Sequence, residues 1–455
     1  MLTLRPYQLD AIEKVRESMR SGRNRIILHA PTGAGKTVIA CEVVRSAVAK
    51  GSRTLFLAHR KELIDQASAK FDDSGIPHGI IMRDHPRTDP HKIVQVASVQ
   101  TLIRRDSSPF DLIIVDECHR ANADSYQAII AQSPKARVLG LTATPCRTDG
   151  RGLRETFEEI VPVSTVKKLT KEGFLVPVRH FAPDIPDLEG LRSSHGDYNS
   201  EDLESLMDQK KLVGDIVKFW QEKGENRQTI IFAVGVEHSK HLAEQFSSAG
   251  VPAEHLDAET PIWEREMILE RFRKGQTKIV SNCGILTEGY DNPSVSCVIL
   301  ARPTQSLGLY LQMAGRSLRP SPGKMDTLIF DHAACGLSHG LVTDDREWML
   351  EGREKKKGKS VPSMKNCPQC FTVFPSIEKE CPTCGYRPEP EARELEEDRA
   401  GKLVELTEEK MTLQRIRKME EKNCKTLPDW QRLGRKRGYK SGWAYIQFSL
   451  RKGMG

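Results

Sequence analysis

Long apolar runs are missing from these 455 residues, and "TIIFAV" is typical of the longest. A membrane-spanning helix needs ~20 consecutive apolar residues, so none is expected. The opening "MLTLRPYQ" lacks both a basic stretch and an apolar core, so no signal peptide is expected either. A disulfide framework is absent as well. The 11 cysteines are scattered along a long chain, apart from four between 367 and 384, which points to a reducing interior. No convincing internal repeat occurs. What remains is 38% hydrophobic and 29% charged, a composition that suits a soluble globular protein. At about 100–200 residues per domain, the length gives two or three domains.

Charge is placed unevenly. Residues 401–455 hold 14 Lys/Arg and 6 Asp/Glu, a net +8 in a chain whose total is +7, so the first 400 residues sum to −1. A polyanionic partner is therefore expected to touch the tail. Between Arg25 and Arg147, apolar runs alternate with helix-like stretches: "RIILHA", "TLFLAH", "IVQVAS", "LIIVDE" and "VLGLTAT". Runs this apolar suit parallel strands buried on both faces, hence a doubly wound α/β domain. A second series begins near Thr229 with "TIIFAV", "KIVSNC", "CVILAR" and "TLIFDH", and "EHSKHLAEQFSSAG" reads as a helix closed by a glycine just past its end. Val176 to Gly196, rich in Pro, Asp and Gly, reads as the connection between the two, and "GREKKKGKS" as a solvated linker.

"IILHAPTGAGKTVIA" leaves a strand pattern and opens a helix pattern. Ala30 to Thr37 matches the phosphate-loop signature, with Ala30 where Gly is usual. Gly33 and Gly35 let successive N–H groups curl inward on β-phosphate oxygens at a helix N-terminus. Lys36 adds a point charge, and the Thr37 hydroxyl is suited to Mg²⁺. Downstream, "FDLIIVDECHRA" drives Asp116 and Glu117 to the end of an apolar strand. Alone, that pair reads as an exposed strand end. Behind a phosphate loop it sits at the strand edge where α/β proteins bind ligands. Asp116 is then expected to hold the Mg²⁺ of ATP, directly or through water, and Glu117 to orient and deprotonate the attacking water.

With these residues the chain resembles the superfamily 2 helicases of the DEAD/DEAH type, RadD-like, found in bacteria and phages. "LRPYQ", "APTGAGKT", "LAHRKELIDQ", "ASVQTL", "VDECH", "LTATP", "TEGYD" and "QMAGRSLRP" carry the likeness, in family order over about three-quarters of the chain. The resemblance implies two tandem RecA-like parallel-sheet domains. It assigns nucleotide contacts to Arg5, Gln8, Pro31, Thr32, Gly33, Ala34, Gly35, Lys36, Thr37, Gly289 and Asp291. It puts Gln312, Arg316 and Arg319 of the second domain across the cleft, with the two arginines on one helix face as fingers for the γ-phosphate. Thr142 and Thr144 resemble coupling residues. His59, Arg60, Gln100, Thr101 and Thr287 are implied as a track for one strand's phosphates.

"NCPQCFTVFPSIEKECPTCGY" spaces Cys367, Cys370, Cys381 and Cys384 as two CPxC knuckles. Four thiolates suit a structural Zn²⁺ site, with a rubredoxin-like iron site as the rival. The tail stretch "RLGRKRGYKSGWAYIQFSLRKG" interleaves Arg/Lys with Tyr439, Trp443, Tyr445 and Phe448. Its rings suit base stacking, or else the packing of a small helical cap. The expected organisation is an ATP-binding domain over 1–170, a second RecA-like domain over 171–345, a linker over 346–362, a zinc ribbon over 363–388 and a basic helical tail over 389–455. The expected activity is an ATP- and Mg²⁺-dependent DNA helicase or translocase in the cytoplasm of a bacterial or phage-infected cell. A duplex-DNA translocase that does not separate strands, an RNA helicase, and a zinc-dependent nucleic-acid-binding scaffold with idle ATPase domains are the alternatives.

Overall fold

The computed structural model describes residues 3–105, 107–147, 150–182, 193–194, 197–352, 364–387, 420–421, 424, 426–439 and 442–452. The first lobe is built on β1 (Arg25–His29), β2 (Thr54–Ala58), β3 (Gly79–Ile81), β4 (Val94–Ser98), β5 (Leu112–Asp116), β6 (Arg137–Thr142) and β7 (Glu159–Pro162). They form one sheet in the order β3-β4-β2-β5-β6-β1-β7, with every pairing parallel. β2, β4 and β5 are buried at every position, because helices cover both faces of the sheet. One of these is α1 (Pro6–Arg20), where Tyr7, Ala11, Ile12 and Val15 share a buried face. It opens with a proline and a reciprocal cap between Arg5 and Gln8.

The second lobe repeats the design with β8 (Val178–Phe181), β11 (Thr229–Phe232), β12 (Ala253–Leu256), β13 (Ile279–Asn282), β14 (Cys297–Leu300) and β15 (Thr327–Asp331); two-residue strands β9 (Ser193–Ser194) and β10 (Asp197–Tyr198) form a separate antiparallel pair. The sheet order is β12-β13-β11-β14-β15-β8, again all parallel. The segment read from sequence as a plain connection, Val176 to Gly196, therefore contributes an edge strand. Residues 183–192 lie outside the described residues.

After β15 the chain crosses back to the first lobe. Leu350 O accepts from Leu153 N at 2.8 Å and Arg154 N at 3.1 Å, and Leu350 is buried beside Ile27 and Phe157. The start of the expected 346–362 linker is thus packed chain, held by an apolar anchor; residues 353–363 lie outside the described residues. The cysteine segment folds as β16 (Met364–Asn366) against β17 (Val373–Pro375). It docks on the edge of the second sheet: Ala182 N donates to Phe371 O at 3.1 Å, and Asn366 Nδ2 to Ala182 O at 3.2 Å. In the C-terminal unit, helices Leu427–Lys436 and Gly442–Lys452 form their own small core around Trp430, Leu433 and Ala444. Trp443 and Phe448 pack into that core, while Tyr439 and Tyr445 stay exposed.

Candidate active site

The parallel register decides what meets at the carboxyl edge of the first sheet. β6 lies between β1 and β5, so the phosphate loop after His29, the Asp116–Glu117 pair and Thr142 come together. The loop opens α2 (Lys36–Val48). Gly33 and Gly35 have φ of +88° and +80°, values that cost an L-residue about 1–2 kcal/mol. A Cβ on Gly35 would lie 2.6 Å from Gln8 Nε2, and one on Gly33 3.2 Å from Arg319 Cγ. Ala30 is not among the positive-φ residues, and its N–H continues the sheet to Thr142 O at 3.0 Å, so no glycine is needed there. Pro31 and Ala34 form a loop turn, Ala34 N donating to Pro31 O at 3.0 Å. Thr37 lies second in α2.

Lys36 Nζ is 3.0 Å from Glu117 Oε1, with both side chains largely buried. Thr142 Oγ1 lies 3.4 Å from Glu117 Oε2, and His119 Nδ1 3.5 Å from it. Glu117 has φ +47°, a strained conformation of the kind stored at functional sites. Burial alone would raise the Glu117 carboxyl, but the Lys36 ammonium and then His119 outweigh it and hold it below the usual range. Burial and then the Glu117 charge push Asp116 the other way, up to about 7. Two adjacent buried carboxylates with one lysine, paired to Glu117, are under-compensated, and that donor set fits a divalent cation.

The second lobe presents Gln312, buried on the helix Leu307–Ala314, and then the turn carrying Arg316. This turn sits on the phosphate loop: a Cβ on Gly315 would lie 2.5 Å from Thr32 Cβ. The helix stops at Ala314, and Gly315–Ser317 is a single 3₁₀ turn. The arginines expected on one helix face therefore lie beyond the helix, each with its own anchor. Arg316 donates Nη1 to Tyr290 O at 2.7 Å and Nε to Thr287 O at 3.1 Å. Arg319 pairs with Asp291 and lies against Gly33. Arg5 stacks its guanidinium 4.9 Å from the Phe174 ring. Gln8, buried, accepts from Arg5 N at 2.9 Å and donates to Ala34 O at 3.2 Å, so its amide is tied to the loop.

The expected track residues are only partly gathered. Arg60 and Thr287 line an interlobe cavity of about 480 Å³, with Arg120, Arg147, Arg302 and Gln312. Arg60 donates to Gly284 O at 3.2 Å and Gln100 to His59 O at 3.0 Å. Thr101 lies half-buried on the short helix Val99–Leu102. Gly289 O accepts from Gln66, across the cleft. His119, Arg120 and Glu288 escaped the sequence reading. They sit inside "DECHR" and "TEGYD" and carry no local sign that they meet.

In the cysteine module, the four sulfurs lie within 4.8 Å of one another. Cys367 and Cys384 are 3.6 Å apart and Cys370 and Cys381 3.5 Å, at hydrogen-bonding rather than covalent distance. A tetrahedral site with metal–sulfur bonds of ~2.3 Å needs sulfurs ~3.8 Å apart, so the residues fit a metal ion. No helix among the described residues is long and apolar enough to cross a membrane.

Comparison with known proteins agrees with this layout. The family described as "Type III restriction enzyme, res subunit" matches residues 1–147, and "Helicase conserved C-terminal domain" matches 208–321. A 51.5 kDa protein of a Lactococcus phage is 34% identical over 79% of this chain and 77% of its own length. A Saccharomyces cerevisiae protein described as an ATP-dependent helicase, IRC3, is 34% identical over 75% of this chain. The chain spans about half of that yeast relative, 52%. Among solved structures, a fragment assigned as the HsdR subunit of a Vibrio vulnificus type I restriction enzyme has a TM-score of 0.59 at 24% identity, covering 73% of this chain and 64% of its own, and shares the fold. Both halves of a helicase-type ATPase are present, and the chain belongs to the superfamily 2 helicases.

Proposed function

We propose that this chain couples Mg-ATP hydrolysis to movement along a DNA strand, as a helicase or translocase in repair, recombination or phage replication. The observation that carries the reading is the seating of the Arg316 turn of one lobe on the phosphate loop of the other. Lys36, Thr37 and the loop N–H groups would hold the triphosphate, with Thr37 and Asp116 as ligands for Mg²⁺. When bound, the cation neutralises charge developing on the phosphoryl oxygens. Glu117 takes the proton of the attacking water. Arg316 has three of its five N–H groups on lobe-2 carbonyls, which fixes the fork and leaves two for a phosphate oxygen. Hydrolysis then depends on cleft closure, so that strand grip and turnover become linked.

Arg60, Thr287 and the other basic groups of the interlobe cavity would meet strand phosphates. Cys367, Cys370, Cys381 and Cys384 would hold Zn²⁺ as thiolates. A four-ligand site has no open position, so its contribution is to the folding of the β16–β17 module. The test is ATP hydrolysis with single-stranded DNA, duplex DNA and RNA as alternative stimulators, beside Lys36→Ala. DNA-stimulated turnover that the variant loses is expected; turnover indifferent to all three polymers overturns the reading.

A further inference from the structure

Glu288 lies between the lobes with its side chain 5% exposed. Four groups of lobe 1 surround it: His59 Nε2 at 2.8 Å, Arg120 Nη2 at 3.3 Å, Arg60 Nε at 3.5 Å and His119 Nε2 at 3.9 Å. These groups follow the carboxyl ends of β2 and β5, which are neighbours in the sheet. Among the described residues, every ion-pair partner of Glu288 belongs to the opposite lobe. His59 Nδ1 is buried without a hydrogen-bond partner, so Glu288 is the one hydrogen bond of that ring. A buried carboxylate is tolerated only where opposite charge compensates it. Here compensation exists only while the cleft is closed, because opening it returns the carboxylate and its four partners to water.

Two further contacts connect this cage to the chemistry. His119, in the cage through Nε2, turns Nδ1 to within 3.5 Å of Glu117 Oε2. The residue before Glu288, Thr287, receives Arg316 on its carbonyl at 3.1 Å. The residue after it, Gly289, receives Gln66 of lobe 1 on its carbonyl. Seating the Glu288 carboxylate therefore sets a lobe-1 ring beside Glu117 and brings the Thr287 carbonyl to the seam with Arg316 already fixed on it. Arg60 and Arg120 also line the interlobe cavity, as does Glu288 itself, and that is the space assigned above to a strand.

We propose that Glu288 is an interlobe latch, a positioning residue whose carboxylate closes the cleft by entering the His59–Arg60–His119–Arg120 cage and so aligns Glu117 and Arg316. The inference rests on the ATPase reading for its catalytic consequence, but not for the latch itself. It makes binding and turnover move in opposite directions. Glu288→Gln keeps the shape and removes the charge. The cage then carries more positive potential toward a strand, while closure loses its compensation.

The test compares Glu288→Gln with the wild type by three measurements. Strand-stimulated kcat should fall at least tenfold. The Kd for single-stranded DNA without nucleotide should be as tight as the wild type's or tighter. Amide hydrogen exchange with a non-hydrolysable ATP analogue and Mg²⁺ should speed up at 59–66 and 284–290, with both sheets unchanged. A role in folding alone would weaken strand binding and turnover together, and that result overturns the proposal, as does a kcat within twofold of the wild type. If the variant gives no cooperative melt, Arg120→Gln tests the cage from lobe 1: faster exchange at 284–290 is expected, and unchanged exchange refutes the latch. Should the wild type show no strand-stimulated turnover, the motor reading fails, and the exchange measurement alone decides the latch.

Discussion

Replacing Glu117 by Gln should tighten ATP binding while stopping its hydrolysis. Lys36 is held 3.0 Å from Glu117 in a site where both side chains are nearly out of solvent. A phosphate bound in the loop competes with that carboxylate for the lysine. A hydrogen bond to a charged partner contributes about 1.5–3 kcal/mol, against roughly 0.5–1.5 for a neutral one. The neutral amide of Glu117→Gln would therefore hold Lys36 less tightly by about 1–1.5 kcal/mol, which releases the lysine to the nucleotide and lowers Kd roughly tenfold. The amide cannot accept the proton of the attacking water, a loss of about 10²–10⁴ in rate. Calorimetric titration with ATP and Mg²⁺ reads the first effect and phosphate release the second. Weaker binding would refute competition for Lys36, and turnover within tenfold of the wild type would remove Glu117 from the role of base.

Arg316→Ala should lower kcat by about 10³ or more while leaving strand binding without nucleotide in place. Arg316→Lys should not rescue it, since an ammonium cannot span the Thr287 and Tyr290 carbonyls and a phosphate oxygen at once; steady-state ATPase and strand titrations check both. Metal analysis should find one zinc per chain. Cys381→Ser should lose it and speed hydrogen exchange at 364–387, with the lobes keeping their melting transition. Burial holds His238 and His332 down at about 4, from an ordinary 6.5. Both are neutral above pH 6.5, so their stability contribution is complete there. Between 6.5 and 4 the unfolded chain takes up the protons first, and each histidine then removes up to roughly 3 kcal/mol of stability. Thermal melts across that window should fall with falling pH, and a flat profile would contradict the burial.

The strands that could be read from the sequence and those that could not divide along one physical line. In the first sheet the apolar runs mark β1, β2, β4, β5 and β6, and in the second β11, β13, β14 and β15; these are the interior strands of both sheets. The strands that left no such mark, β3, β7, β8 and β12, are the four edges. A continuous apolar run reports burial on both faces with neighbours on both sides. An edge strand such as β12, half-buried over most of its four residues, needs no such run. β8 was hidden in a segment read as a connection because its outer edge is covered by the cysteine module, a contact between residues almost two hundred apart in sequence. Site residues follow the same logic. The phosphate loop and Asp116–Glu117 are local patterns at strand ends and were readable, whereas the Glu288 cage joins three distant segments and has no local pattern at all.

The cations of the cleft differ in where their counter-charges come from, and that difference orders the events of a cycle. Lys36 is paired with Glu117 inside lobe 1, and Arg319 with Asp291 inside lobe 2. Neither pair depends on the cleft, so each can persist in an open protein and yields only to an incoming phosphate. Arg316 is fixed by carbonyls of its own lobe and arrives at the seam already oriented. Glu288, buried in the seam, borrows its counter-charge from the other lobe, as does the more exposed Glu62 of lobe 1, paired with Arg265 of lobe 2 at 2.9 Å. Exchange of partners at Lys36 is then a binding event, while seating of Glu288 is a closing event. Double-mutant cycles should separate them: coupling between Lys36 and Glu117 should appear in nucleotide affinity, and coupling between Glu288 and Arg120 in kcat. Coupling of the second pair in nucleotide affinity with none in kcat would mean that closure is set elsewhere along the seam.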